Sequence, residues 1–347
     1  MRIAVVSPLY EAVPPKAYGG TERIVSYLTE ELVRKGHQVT LFASGDSQTR
    51  ARLVSPCRRA TRLDPMCQDP VALHVLMLEE VSRRASEFDV IHFNVDYLAF
   101  PWARRLATPS LSTLHGRLDI RELKPLFREF REHPVVSISN AQRRPLPFAN
   151  WVGTVYHGLP PDLYRPSYEP GRHLAFVGRI SPEKRPDRAI RIARRAGIPL
   201  LIAAKVDRAD REYYEQKIRP LLREPGVEFV GELDDRGKQE LLGGAAALLF
   251  PIDWPEPFGL LMIEAMACGT PVIAWPCGSV PEVLKDGVTG FVVSDEREAV
   301  RAVERIGSID RRRCRAEFER RFTAERMARD YLHIYGRLAA ARHPQVA

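Results

Sequence analysis

Two glutamates eight positions apart, Glu256 and Glu264, stand in the segment PEPFGLLMIEAMACGTPVIAW, residues 255–275. Glu264 lies inside an otherwise apolar run, Leu260 to Ala267. A carboxylate taken out of water must be paired or hydrogen-bonded. The two hydroxyls of a ribose would satisfy its oxygens; a neighbouring basic side chain would do so too. Glu256 precedes the run, at a loop tip where a sugar could be held. Pro257 fixes the approach of the chain. Phe258 and Gly259 lead into a short helix starting near Leu260, and its first amides, Gly259 to Leu261, would face an anion.

A second constellation is VGRISPEKR, residues 177–185. Arg179 and Lys184 fall in the loop after a strand's carboxyl end. One Arg and one Lys suit a diphosphate, because Arg offers a planar fork and Lys a compact charge; a solvated loop is the plainer alternative. The turn Gly19-Gly20-Thr21-Glu22 follows the first strand and opens a long helix. Two glycines allow close backbone approach to a ligand, and Thr21 is a candidate N-cap. His115, in Thr113-Leu114-His115-Gly116, ends a strand and is placed for hydrogen bonding or general acid–base help. His92 and His157 also end strands but rank lower. Asn94 and Asp96 could reach an acceptor.

These groups need rigid elements behind them. Short β-branched runs alternate with longer amphipathic segments along the whole chain. Strands are expected at Arg2–Ser7, Gln38–Ala43, Asp89–Asn94, Ser110–His115, Val135–Ser139 and Gly153–His157. A second series follows at Leu174–Gly178, Pro199–Ala203, Val227–Val230, Ala247–Pro251, Pro271–Trp275 and Gly290–Val293. Near-continuous apolar runs such as IAVV and LLIAA suit strands buried on both faces of a parallel sheet. Thr21–Lys35 is the clearest helix, with Ile24, Val25, Leu28 and Leu32 on one face and Gly36 beyond its end. Arg188–Ala196, Tyr213–Leu222, Lys238–Ala246, Leu260–Ala267 and Thr323–Ala341 read as further helices. The pattern occurs twice, which implies two doubly wound α/β domains. The boundary falls in Gly158–Arg172, rich in Pro and Gly. Such domains, facing one another, would bind ligands in a cleft at the carboxyl ends of their strands.

The chain has 347 residues, 45% hydrophobic and 28% charged, which suits two globular domains. No apolar run approaches the length of a membrane span, and the N-terminus reads as a strand and not a signal peptide. The five cysteines, Cys57, Cys67, Cys268, Cys277 and Cys314, are odd in number and lack C-x-x-C spacing. A disulfide framework or zinc site is therefore not expected, and a reducing cytoplasm is the natural setting. The net charge of +8 reads most plainly as a solvated surface; its functional readings are attraction to anionic substrates or to an anionic membrane surface, with peripheral association at the inner membrane face. No zinc-finger spacing or RNP pattern points to a nucleic acid. The G-x-x-x-x-G-K-[ST], G-x-S-x-G and H-E-x-x-H patterns are absent. No Asp-x-Asp pair ends a strand, so the expectation is a diphosphate neutralised without a metal.

Taken together, E-P-F-G-x-x-x-x-E-A-M-A-C-G-T-P-V, V-G-R-I-S-P-E-K and G-G-T-E resemble the retaining glycosyltransferases of family 4, also described as glycosyl transferases group 1. The resemblance covers nearly the whole chain. It implies a GT-B fold: α/β, two Rossmann-like domains facing a central cleft. Residues 1–160 would form the acceptor-side domain and 171–324 the donor domain, with the helix 325–341 returning to the first. The implied reaction moves a hexose from a UDP- or GDP-sugar to an acceptor hydroxyl, with no cofactor. The acceptor would be a polysaccharide, a lipid-linked sugar or a small metabolite. Arg179 and Lys184 would bind the diphosphate, and Glu264 the ribose hydroxyls. Glu256, with Phe258, Gly259 and Leu260, would hold the transferred sugar and phosphate. Gly19 and Gly20 would approach the phosphate and the acceptor, and His115 would contact the sugar as a catalytic group beside Glu256. Where many relatives carry a Gly-rich loop, this chain has Ala203-Ala204-Lys205-Val206-Asp207, and Lys205 would add a third cation. The alternatives are a nucleotide-sugar-binding protein without transferase activity, a phosphorylase or an epimerase.

Overall fold

The structure, a computed structural model, describes residues 1–16 and 19–342. Strands run at β1 Arg2–Val6, β2 Gln38–Phe42, β3 Arg52–Val54, β4 Val90–Phe93, β5 Ser110–Thr113, β6 Val135–Ser137 and β7 Trp151–Thr154. They form one parallel sheet in the order β3-β2-β1-β4-β5-β6-β7. A second series comprises β8 His173–Arg179, β9 Leu200–Lys205, β10 Val227–Gly231, β11 Ala245–Phe250, β12 Val272–Ala274 and β13 Gly290–Val292. It makes a parallel sheet in the order β10-β9-β8-β11-β12-β13. In both sheets the order reverses beside the first strand of the series, the arrangement of a doubly wound fold.

The chain divides into two compact units. One is Met1–Pro160 together with the segment from Ala324; the other is Pro161–Thr323. In the first, β1 and β4 are buried on both faces; Ile3 to Val6 is an unbroken apolar run for that reason, while β4 is interrupted by the hydrogen-bonded His92. In the second, Ala245 to Phe250 behaves likewise.

The helix Ala324–Arg342 belongs to the first unit and is fixed there by polar bonds. Tyr335 Oη lies 2.7 Å from His92 Nδ1 on β4, and Tyr331 Oη 2.8 Å from Thr113 Oγ1 on β5. His92 Nε2 completes the chain to Thr113 Oγ1 at 2.7 Å. All four side chains are buried. Arg326 donates to the carbonyls of Tyr156 and His157, and Arg337 to that of Val152.

Several local expectations differ from the structure. The edge strand β3 is only three residues long and half-buried, too short for a pattern to show. The expected single helix Tyr213–Leu222 is one turn, Arg211–Tyr213, followed by a wider-wound turn, Tyr214–Ile218, and a tight one, Leu221–Arg223. Arg219 N bonds five residues back to Tyr214 O at 2.8 Å, and Pro220 then has no N–H with which to continue. Thr21 is not the N-cap: the helix Gly20–Arg34 starts one residue earlier, on Gly19, with no side-chain cap. The unread helix Pro70–Arg83 is capped by Asp69, whose side chain accepts from Val71 N and Ala72 N.

Buried histidines make the first unit sensitive to acid. Burial pushes His92 and His115 down to about 3 and His133 to about 4, and holds His157 well below its usual range. Between about pH 6.5 and 4.5 the unfolded chain binds protons at these sites that the folded chain does not, so stability is present above pH 6.5 and lost as pH falls. Glu22 opposes this, because burial raises its carboxyl to about 7; its folded form binds the extra proton in that window. Urea unfolding should show a loss on the order of a few kcal/mol from pH 6.5 to 4.5, steeper in Glu22→Gln. Stability that stays flat or rises on acidification would contradict this balance.

Candidate functional site

Apart from Gly19, Gly20 and His115, the residues read as a donor site lie in the second unit, around the carboxyl ends of β8, β9 and β11. Arg179 ends β8, and the loop that follows carries Lys184 into the helix Pro186–Ala196. Two backbone bonds fix this loop: Ile180 N to Lys205 O at 2.8 Å, and Asp253 N to Glu183 O at 2.8 Å. The second ties it to the segment after β11. Arg185 takes a left-handed conformation, φ 54°, and pairs with Asp187 and Asp253, each at 2.9 Å.

Lys184 Nζ bonds to Glu256 Oε2, joining the two principal motifs directly. Trp254 Nε1 donates to the same oxygen at 3.1 Å, and its ring lies 4.9 Å from the ammonium. Phe250 lies beneath it at 5.7 Å. Glu256 is therefore held by a lysine and an indole N–H, at 9% exposure.

Glu264 is in the middle of the helix Leu260–Ala267 and only 3% exposed. Its partner is Lys238, with Nζ 2.9 Å from Oε1. Lys238 comes from the helix Asp235–Gly243 and also pairs with Asp235 at 3.0 Å. Of the two ways a buried Glu264 can be satisfied, the basic side chain is the one in place, on Oε1.

Arg179 sits among carboxylates. It pairs with Glu183, with Asp210 at 3.2 Å and with Asp207 at 3.8 Å. Lys205 pairs with the same Asp207 at 3.1 Å. Burial and the neighbouring Glu183 and Asp207 raise the Asp210 carboxyl, against the pull of Arg179. Both cations are therefore held by acidic groups through which an anionic ligand would have to compete.

Gly259 opens its helix at φ 79°, and a Cβ there would meet Met262 Cε at 2.7 Å. The loop Cys277 to Ser279 buttresses the approach to it. Ser279 N bonds to Glu256 O at 3.0 Å and Ser279 Oγ to Phe258 O at 2.8 Å. Gly278, at φ 58°, lies so close that a Cβ would meet the Glu256 backbone at 2.3 Å.

The remaining candidates lie in the first unit. Gly19 packs on the loop after β1, where a Cβ would meet Pro15 at 2.7 Å; Gly20 is the first residue of its helix. His115, half-buried just beyond β5, has Nε2 2.9 Å from Asn94 Oδ1. Its backbone N–H donates to Asp96 Oδ1 at 3.1 Å, and its ring stacks on His157 at 5.4 Å. Asp96 takes a left-handed φ of 48°, and burial raises its carboxyl against the amides of His115 and Gly116. With its nitrogen held near 3, His115 is neutral at physiological pH. Nε2–H donates to Asn94, so Nδ1, buried without a partner, is left as the acceptor nitrogen of the ring.

Sequence reasoning missed Lys238, Trp254, Gly278 and the carboxylates around Arg179. Lys238 and Gly278 meet partners far away in sequence; Trp254 stands two residues from Glu256, and Glu183 at i+4 from Arg179, the two local spacings that could have signalled a pair. Among the described residues, no group of three or more His, Cys, Asp or Glu side chains is placed to hold a metal ion. No described helix is long and apolar enough to cross a membrane. The five cysteines are free thiols.

Residues 165–322 match the family profile described as Glycosyl transferases group 1, and residues 18–148 match that of Glycosyltransferase Family 4. Together the two profiles span most of the chain, which is a GT4-like glycosyltransferase. It is 27% identical to an alpha-maltose-1-phosphate synthase of Mycobacterium tuberculosis, over 98% of this chain and 100% of that protein. Its fold is that of AviGT4, a glycosyltransferase involved in avilamycin A biosynthesis, with a TM-score of 0.74, 23% identity and 98% of each chain covered. Anabaena HepE in complex with UDP-glucose also matches, with a TM-score of 0.74 and 17% identity over 97% of this chain and 100% of that one. This glycosyltransferase therefore carries the GT-B fold, one doubly wound sheet in each unit.

The close fit at Gly278 is a direct test of the site's geometry. Gly278→Ala should push Glu256 out of place and lower glycosyl transfer by about two decades, as small misplacements can, with circular dichroism unchanged. A wild-type rate in a folded variant would show that the position of Glu256 does not matter.

Proposed function

We propose that the enzyme transfers a hexose from a nucleotide-diphosphate sugar, UDP- or GDP-linked, to an acceptor hydroxyl, with retention and without a metal. The observation that carries this reading is the Lys184–Glu256 contact beside the Glu264–Lys238 pair. It sets a cation, a sugar-binding carboxylate and a ribose-binding carboxylate around one helix start. The relative in complex with UDP-glucose supports a hexose donor.

Each residue then has a task. Arg179 and Lys184, with Lys205 behind them, neutralise the diphosphate. A diphosphate competes for Lys184 and leaves Glu256 to accept hydroxyls of the sugar. The amides of Phe258, Gly259 and Leu260 face the phosphate at a helix N-terminus. Glu264 holds the ribose. In the first unit, Gly19 and Gly20 allow close backbone approach, His115 Nδ1 accepts from a sugar hydroxyl, and Asn94 and Asp96 serve the acceptor.

The bond from the sugar's C1 to the diphosphate oxygen breaks as the acceptor oxygen bonds to C1 on the same face. The departing diphosphate oxygen takes the acceptor's proton. Neutral His115 fits this route, since no strong protein base is needed. Catalysis rests on positioning and on stabilising leaving-group charge. The acceptor is a polysaccharide, a lipid-linked sugar or a small metabolite. The net charge of +8 favours one held near an anionic membrane surface, in the cytoplasm.

Arg179→Ala and Lys184→Ala should each lower turnover at saturating donor by about two to three decades, as loss of a preorganised charge does. Release of UDP or GDP from a panel of sugar donors, with and without acceptor, measures this. EDTA should leave the wild-type rate unchanged, and proton NMR of the first product should show the donor's anomeric configuration. Near-normal turnover in both variants would overturn the role assignment, EDTA-abolished turnover the metal independence, and an inverted product the retention.

A further inference from the structure

Glu264 is a side chain whose last torsion is soft: the carboxylate plane of a glutamate rotates broadly unless something holds it. A ribose diol needs that plane fixed, because two hydroxyls must meet two oxygens at once. The structure supplies a holder. Lys238 Nζ lies 2.9 Å from Glu264 Oε1 and 3.0 Å from Asp235 Oδ1. The same Asp235 oxygen accepts from Tyr164 Oη at 3.1 Å. Tyr164 is 1% exposed, and its ring lies 5.8 Å from the ammonium. The lysine side chain is itself 12% exposed and its glutamate partner 4%.

The ammonium is thus fixed by two anions and an aromatic ring, more than neutralising one carboxylate requires. Each carboxylate oxygen has two lone-pair directions. Lys238 takes one on Oε1 and so turns the plane, with the second direction on Oε1 and those on Oε2 left for hydroxyls. We propose that Lys238 is a positioning residue for the ribose-binding carboxylate and so sets the preference for ribonucleotide over 2′-deoxyribonucleotide donors. This rests on the reading of Glu264 as the ribose ligand.

The test is calorimetric titration of the full chain with UDP and 2′-deoxy-UDP, and with GDP and 2′-deoxy-GDP. Wild type should prefer the ribonucleotide by about tenfold or more, the worth of one hydrogen bond to a charged group. In Lys238→Met, which keeps the side chain's length, the preference should fall to about threefold or less. Donor KM should rise while kcat changes little, the mark of lost ground-state binding. Asp235→Asn loosens the ammonium without removing it and should shift the preference the same way by less; it carries the test if Lys238→Met does not fold. Glu264→Gln separates the two ideas. If it loses the preference while both Lys238→Met and Asp235→Asn keep the wild-type value, Lys238 only neutralises charge and the proposal is overturned. If Glu264→Gln itself keeps the preference, or wild type has none, the ribose reading fails and the proposal with it.

Discussion

A charge removed from water has to meet another charge, and this constraint organises the second unit. Glu256 and Glu264 are both buried, and each is met by a lysine from a different element. A lone buried carboxylate would be strongly unfavourable, whereas a paired one with good geometry can be roughly neutral. The two pairs therefore contribute little net stability. What they do is draw the loop after β8 onto the segment before the helix Leu260–Ala267, and the helix Asp235–Gly243 onto that helix itself. A ligand carrying a diphosphate and hydroxyls offers the same groups an equivalent set of partners, so binding can exchange contacts without stranding a charge.

The surrounding fold keeps those partners in reach. Parallel strands end at one edge of their sheet, so the loops after β8, β9 and β11 are neighbours although they are far apart in sequence. The bond from Asp253 N to Glu183 O and the close packing of Gly278 on Glu256 hold the backbone while side chains exchange. The first unit has a different device. Its returning helix is fixed by the buried His92, Thr113, Tyr331 and Tyr335 network, and burial keeps its histidines neutral. A satisfied polar network of this kind specifies one docking of the helix, where apolar contacts alone would tolerate several.

The α/β class and the twofold repetition were legible because apolar runs buried on both faces leave a strong mark in sequence. Elements with weaker marks were not. β3 is an edge strand of three residues, and the break after Tyr213 depends on Pro220 and a five-residue backbone bond. In the site, the glutamates and the Arg179 and Lys184 loop stood out because charge inside or beside an apolar run asks for a partner. The partners themselves did not. Lys238 lies 26 residues from Glu264, and Lys184 lies 72 from Glu256. Only the sheet order brings them together, so composition and spacing could show the need and not what meets it. Gly278 was silent for a similar reason: its role is the space it leaves for another backbone.

The central claim is that the cations and glutamates of the second unit hold a nucleoside diphosphate sugar. A crystal structure of the full chain grown with UDP or GDP, whichever stabilises it more, tests this most directly. The account predicts phosphate oxygens within hydrogen-bond distance of Arg179 and Lys184, and ribose hydroxyls on Glu264. Lys184 would then be shared between phosphate and Glu256 or withdrawn from it. A nucleotide bound elsewhere, with both lysine–glutamate pairs undisturbed, would contradict it.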